Sequence, residues 1–355
     1  MVNDLVKMHV RGTYQAYINL LYGGGAAAGA AFGGYLCETI GWRATFAAQI
    51  PLILVVYAMA YMTVPRNLGP QLASDKRWTQ LVREFDIAGS FFLFVSVASL
   101  IVGLNFGGNI YSWSHPVVVS SLVLALVTGV ILFWVEDKAE RPIMPLDMIT
   151  VAPRANLVFS NFFAMIGSNH ILFNAPLYFE VVHGESPAIA GLRISIPALF
   201  TTVCGLLTGF FLTWSGRMKS PQVLGAICMI IGGVATSMMW ESTPTWLSTL
   251  AIAAPYAGQG FMFPATIIGL LATSSQKDQA VMMTTLILWR NLGIVLGVAV
   301  SSLVLQNALV TYLEMFVSGT DKEEVIARVR MSVRAVLDLK GEQKLQGKLL
   351  NSVLP

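Results

Sequence analysis

The amino-acid sequence predicts an all-α polytopic membrane protein, and three observations carry that expectation. Apolar runs of about 20 residues, the length that crosses a bilayer as a helix, recur along the 355-residue chain. Charged residues make up only 12% of it and hydrophobic ones 55%, whereas soluble domains carry about 25% charged residues. Lysines and arginines collect in alternate loops, which is how membrane topology is written into a sequence.

Nine spans are expected, near residues 16–37, 43–64, 86–105, 117–135, 156–181, 188–213, 222–240, 246–272 and 281–309. The first opens after Arg11-Gly12-Thr13-Tyr14-Gln15 and closes at Gly41-Trp42-Arg43. Asp86 begins the third, where a carboxylate favours the helix dipole, and reads as a cap. Basic residues fall in one loop at Arg66, Lys76, Arg77 and Arg83, in a second at Lys138, Arg141 and Arg154, and in a third at Arg217 and Lys219. Between them, residues 105–116 and 241–245 hold few or none. Basic loops stay cytoplasmic, so the N-terminus is expected in the cytosol and the segment after residue 310 outside the cell or in an organelle lumen. Met1 to Val10, with Asn3, Asp4, Lys7 and His9, lacks the form of a secretory signal, and insertion is assigned to the first span. In residues 310–355, Thr320-x-x-Glu323 forms a capping box before Val325, Val329, Val333 and Leu337. That spacing predicts a short amphipathic helix, an outer or lumenal tail whose mixed charges read as a solvated face.

Several function classes are excluded by composition. A net charge of +3, spread among loops, gives no basic patch for nucleic acid. Cys37, Cys204 and Cys228 show neither pairing nor metal-ligand spacing and read as small buried residues. The chain has no nucleophile elbow, no Walker loop and no zinc spacing among its four histidines. No enzyme activity, catalytic residue, metal or cofactor is therefore expected.

Glycine recurs every fourth residue at Gly25, Gly29 and Gly33, widened by Gly24, Ala28 and Gly34, and again at Gly293 and Gly297 followed by Ser301. Lipid offers no hydrophobic gain for helix association, so small residues that permit close backbone approach supply the attraction. Such a stripe is as often an ordinary packing contact as a mechanistic one. Two of them, on helices entered from the same side, suggest internal symmetry about an axis along the membrane normal.

Arg11-Gly12-x-Tyr14-Gln15-x-x-x-Asn19, Gly25-x-x-x-Gly29-Ala30-x-x-Gly33-Gly34, Gly41-Trp42-Arg43 and Gln49-x-Pro51 resemble the fifth and sixth helices of fourteen-helix major facilitator superfamily transporters. The likeness is to the fungal branch that holds drug:proton antiporters and vacuolar basic amino acid transporters. Where the antiporter signature of that superfamily has Gly-Pro-x-x-Gly-Gly, this chain has Gly29-Ala30-Ala31-Phe32-Gly33-Gly34, which predicts a less kinked helix and weakens the antiporter label. The resemblance implies a major facilitator fold, with the chain matching helices five to thirteen. Residues 1–64 would then be part of an N-terminal bundle, 65–155 linking helices and cytosolic loops, and 156–309 most of a C-terminal bundle, with both glycine helices at the interface between the halves. It further implies proton-coupled secondary active transport of small solutes in a vacuolar or plasma membrane. Basic amino acids are the favoured substrate, on Tyr14-Gln15, Asn19 and the Ala30 variant, with multidrug efflux close behind. The partners implied are the lipid bilayer, a small-molecule substrate and protons. The alternative is a truncated, transport-inactive fragment, or an interaction partner that associates with a full-length relative.

Ionisable residues at membrane depth are functional candidates because of their cost. Arg290, beside Asn291, is the deepest, either a structural cation satisfied between helices or a charge that holds a substrate carboxylate. In the span from Asn156, the residues Ser160, Gly167, His170, Asn174 and Tyr178 share one helical face. His170, Asn174 and Tyr178 are assigned to substrate or proton binding, the alternative being a histidine bonded to its own or a neighbouring helix. Glu180 and Arg193 are expected to pair near the outer surface, as a structural contact or a gate. Pro255, Tyr256, Gln259, Gly260 and Pro264 predict an interrupted helix. The resemblance makes that helix cavity-lining, with Gln259 as its substrate contact.

Overall fold

The computed structural model describes residues 11–63, 86–107, 111–139, 142–240, 242–274 and 278–316. Its helices are α1 (Arg11–Ile40), α2 (Trp42–Ala47), α3 (Gln49–Thr63), α4 (Ile87–Phe106), α5 (Pro116–Lys138), α6 (Leu146–Thr150), α7 (Arg154–Val181), α8 (Pro187–Ser215), α9 (Lys219–Ser237), α10 (Thr245–Ala272) and α11 (Gln279–Phe316). The only β-type pairing among the described residues is one isolated bridge, Gly107 to Tyr111. The fold is all-α and that of an integral membrane protein. The basic residues Arg66, Lys76, Arg77, Arg83 and Arg141, and the pattern from Thr320 to Leu337, lie outside the described residues.

Each expected span has its helix, with one interruption. Gly41, at φ 80°, ends α1 in a backbone conformation that glycine adopts without strain. The second span breaks at Ala48 because Pro51 has no N–H to donate to the carbonyl of Ala47. By length and composition six helices qualify as spans on hydropathy: 42–63, 87–106, 116–138, 187–215, 219–237 and 279–305. The other long helices, α1, α7 and α10, are 28 to 30 residues, roughly 42–45 Å. Glycine-rich or polar faces lower their hydropathy.

Asp86 caps α4 as expected, its Oδ1 accepting from the Gly89 N–H at 2.7 Å. α4 and α5 form a hairpin, with Gly103 against the Leu122 side chain and the Ser96 hydroxyl donating to the Ala125 carbonyl at 2.9 Å. At the end of α5, the buried Glu136 accepts from the Met144 N–H at 3.1 Å. That bond turns the chain toward α6 and α7.

α10 runs unbroken through Pro255 and Pro264, which corrects the expected interruption. It survives because it is wedged between helices. An added Cβ at Gly258 would lie 2.5 Å from the Gly225 carbonyl on α9, and one at Gly260 2.5 Å from the Thr201 carbonyl on α8. Gly258→Ala is accordingly expected to destabilise the bundle by about 1–3 kcal/mol. A lowered thermal unfolding midpoint in detergent checks this, with Gly24→Ala, whose Cβ would meet nothing within 4 Å, as control. Met144, Met148, Val158, Leu270, Met282 and Leu286 form one apolar cluster, and Ala175, Phe179, Ala190, Met239 and Ile252 another.

The two glycine stripes behave differently. Gly293 and Gly297 press on α7, where an added Cβ would sit 2.6 Å from the carbonyls of Phe162 and Ile166 respectively. They therefore pack inside the set of helices after residue 154, not across the two expected halves. At Gly25, Gly29 and Gly33 an added Cβ would meet nothing within 4 Å. α1 instead meets α8 through Gly23, directly against Thr202, and through the buried Ala27. Successive helical residues are about 100° apart, so Gly25 faces almost opposite to Gly23. Cys204 is buried and Cys228 partly so, but Cys37 is exposed, contrary to expectation.

Candidate functional site

Arg290 lies eleven residues into α11, roughly 16 Å along its axis. Its Nη1 donates to Asn161 Oδ1 on α7 at 3.3 Å, and its Cζ lies 4.1 Å from the centre of the Phe263 ring on α10. The Tyr22 and Tyr256 hydroxyls are its electrostatic neighbours, and among the described residues no carboxylate pairs with it. Asn161 is 1% exposed, so this contact sits in the protein interior. A guanidinium has five N–H donors in a planar fork suited to a carboxylate, and the Asn161 bond occupies one. Asn291 follows on an exposed face. Phe159 and Phe162 stack edgewise on Trp289 at 5.0 and 5.3 Å, forming an aromatic flank.

Gln259 is not on a cavity wall. It is 3% exposed and its Nε2 is engaged by Ser168 Oγ at 2.7 Å and Met165 Sδ at 2.6 Å. The Tyr256 hydroxyl donates to the Ser168 carbonyl at 3.0 Å. Both side chains act as cross-links from α10 to α7, and the correction has a simple cause. An amide on a helix packed on two sides satisfies itself on its neighbours.

His170, Asn174 and Tyr178 line a cavity of about 530 Å³ together with Thr236 and Ser237 of α9. A second cavity of about 440 Å³, reached by Ser160 and Gly167, shares His170, Ile171 and Gly233 with the first. The shared face on α7 thus opens onto space, apart from Asn156, which is exposed but lines neither cavity. The His170 ring is bonded to its own helix, Nδ1 to the Gly167 carbonyl at 3.1 Å. Asn174 Nδ2 donates to the His170 carbonyl at 3.0 Å and to Ser301 Oγ on α11.

The six expected substrate contacts are not one constellation. From Asn161, which holds Arg290, to Asn174 is thirteen residues of one helix, roughly 20 Å. An extended lysine, about seven bonds of ~1.5 Å from carboxylate oxygen to ammonium, covers only about half of that. Arg290 with Asn291 is one place, the His170 cavity another, and Gln259 a buried tie between them. Asn161 and Ser168 are functional residues not expected from the sequence, although they lie seven residues apart on α7, a second polar line beside the face of His170. Tyr22, Thr236 and Ser237 were likewise not among the expected residues.

Arg193 makes its ion pair with Glu185, not with Glu180 as expected. Nη2 lies 2.5 Å from Oε1, and Nε donates to Oε2 at 2.5 Å. Helical side chains lean toward their N-terminus, which sends Arg193 back to the turn that precedes α8. Glu180 is buried at the end of α7. The Arg193 pair is partly exposed, so Glu185→Gln is expected to cost at most about 1 kcal/mol, measured as a small fall in the unfolding midpoint.

Long apolar helices with a half-buried cation and polar cavities between them define an integral membrane protein whose interior carries polar groups. The description Major Facilitator Superfamily matches residues 1–152. The chain is 29% identical to Vacuolar basic amino acid transporter 2 of Saccharomyces cerevisiae, over 99% of this chain and 75% of that relative. It is 28% identical to Multidrug resistance protein fnx1 of Schizosaccharomyces pombe, over 97% and 65% respectively. It is 27% identical to Vacuolar membrane amino acid uptake transporter fnx2 of the same yeast, over 99% and 61%. The chain thus spans between 61% and 75% of the length of these three relatives. Family match and relatives together make this chain similar to major facilitator superfamily transporters of the fungal branch.

Proposed function

We propose that the chain serves proton-coupled secondary active transport of small solutes, with basic amino acids as the favoured substrate and a vacuolar membrane as the favoured location. The observation that carries this reading is Arg290, a cation set between helices, with spare donors and no carboxylate partner among the described residues. An amino acid brings the missing carboxylate. Phe263 holds the guanidinium by its face and Asn161 by one edge, which leaves the fork free to bind a carboxylate at two points. In this reading α1 to α3 belong to one bundle and α7 to α11 to the other, joined by α4 and α5. The contact of Gly23 with Thr202 then lies where the bundles rock against each other. The relatives named for basic amino acid and amino acid uptake support the substrate class, and the one named for multidrug resistance supports efflux of cationic compounds as a second reading.

Labelled lysine supplied to vesicles that carry the protein, under an imposed pH gradient, tests the proposal. Accumulation that collapses with a protonophore is expected. Preference for a cationic dye over lysine favours the second reading, and lysine uptake indifferent to the gradient contradicts proton coupling.

A further inference from the structure

The turn between α8 and α9 sets exposed cations directly above an apolar groove. Trp214, near the end of α8, is 87% exposed, and tryptophan favours the headgroup level of a membrane. Just beyond it, Arg217 and Lys219 are both exposed, and among the described residues neither has a carboxylate partner. Met218, between them, packs inward, its Sδ 3.7 Å from the place a Cβ on Gly269 of α10 would take. That contact fixes the turn against the bundle. On the membrane side of the turn lies a cavity of about 500 Å³, with apolar walls from Leu207 and Phe211 of α8, Leu224 of α9 and Phe261 of α10. Ser220, next to Lys219, forms its outer end. The Thr208 hydroxyl in its wall donates to the Cys204 carbonyl at 2.7 Å, so it has no proton to offer a polar solute.

From this order of cation, interface and apolar wall we propose that the groove is a binding site for an anionic phospholipid of the cytosolic leaflet. The phosphate meets Arg217, Lys219 and the first turn of α9, which no side chain caps and which holds no acidic residue. Such a helix end favours a phosphate group, and here it is joined by two cations. An acyl chain fills the groove. Phe211 and Leu207 lie four and eight residues before Ser215, roughly 6 and 12 Å inward, so the apolar wall runs from the charges in the direction that a lipid chain takes. Basic loops are the cytosolic ones, and the leaflet on that side is where anionic lipids attract lysine and arginine. The groove shares no lining residue with the cavities at His170, so it does not depend on the role given to those cavities.

Native mass spectrometry of the purified chain in detergent, titrated with phosphatidylserine, reads the affinity of the first lipid bound. Arg217→Gln with Lys219→Gln is expected to weaken it at least about tenfold and to leave phosphatidylcholine binding unchanged, a selectivity that misfolding does not produce. Arg217→Lys with Lys219→Arg is expected to keep the wild-type affinity. Leu224→Trp, which fills the groove and alters no charge, is expected to weaken phosphatidylserine binding at least about fivefold. Lys138→Gln, which removes a cation held over the Trp134 ring at the end of α5, is expected to change nothing. Phosphatidylserine that binds the wild type no tighter than phosphatidylcholine, or a loss in the double glutamine variant shared by both lipids or by Lys138→Gln, overturns the proposal. Unaltered affinity in Leu224→Trp, or competition by the soluble headgroup glycerophosphoserine, overturns the seat for the acyl chain and with it the lipid.

Discussion

Gly297→Leu is expected to destabilise the protein by about 3 kcal/mol or more, while Gly29→Leu leaves it unchanged. At Gly297 the first added carbon would sit 2.6 Å from the Ile166 carbonyl and 3.1 Å from its Cα. Those are backbone atoms of α7, and they cannot yield without moving the helix. The same displacement would pull Ser301 from Asn174 and Arg290 from Asn161, since all three contacts lie along one seam. At Gly29 an added Cβ would find no atom within 4 Å. Thermal unfolding of purified variants in detergent reads the difference, and equal losses in both would refute the assignment of the close-packed face.

Arg290→Ala is expected to weaken lysine binding by about two to three orders of magnitude. Removing one member of a buried, hydrogen-bonded charge pair costs about 3–5 kcal/mol, and 1.4 kcal/mol is tenfold in affinity. Arg290→Lys is expected to recover only part of the loss, because an ammonium is a point charge without a planar fork. Glu185→Gln, at a partly exposed pair, is expected to leave binding unaffected. A deficit in Arg290→Ala no greater than in Glu185→Gln would make Arg290 a packing residue.

Span positions were legible in the sequence because hydrophobic length and glycine or proline punctuation are local properties. Gly41 and Asp86 mark ends that the structure places within a residue or two of expectation. Which face of a span is covered was less legible. The Gly25, Gly29 and Gly33 stripe reads more strongly than Gly23 with Ala27, yet the second line makes the contact, since only the neighbour's position decides between faces of one helix. Gln259 failed for a related reason. A buried amide looks the same in sequence whether it meets a solute or Ser168. Arg193 had two acidic residues within reach, and side-chain direction, which spacing does not reveal, selected Glu185. That Ser160, Gly167, His170, Asn174 and Tyr178 share one face of α7 was legible because they follow one helical period, and that face lines cavities, while the separation of Arg290 from it required knowing which residue Arg290 touches.

The most direct test of Arg290 as the anchor of a substrate carboxylate compares lysine with cadaverine, two ligands that differ by that group alone. Equilibrium binding of each is measured on the wild-type chain and on Arg290→Gln in nanodiscs. The expected result is at least a tenfold rise in the lysine Kd with the cadaverine Kd unchanged. Equal changes in both, or no change in either, would contradict it.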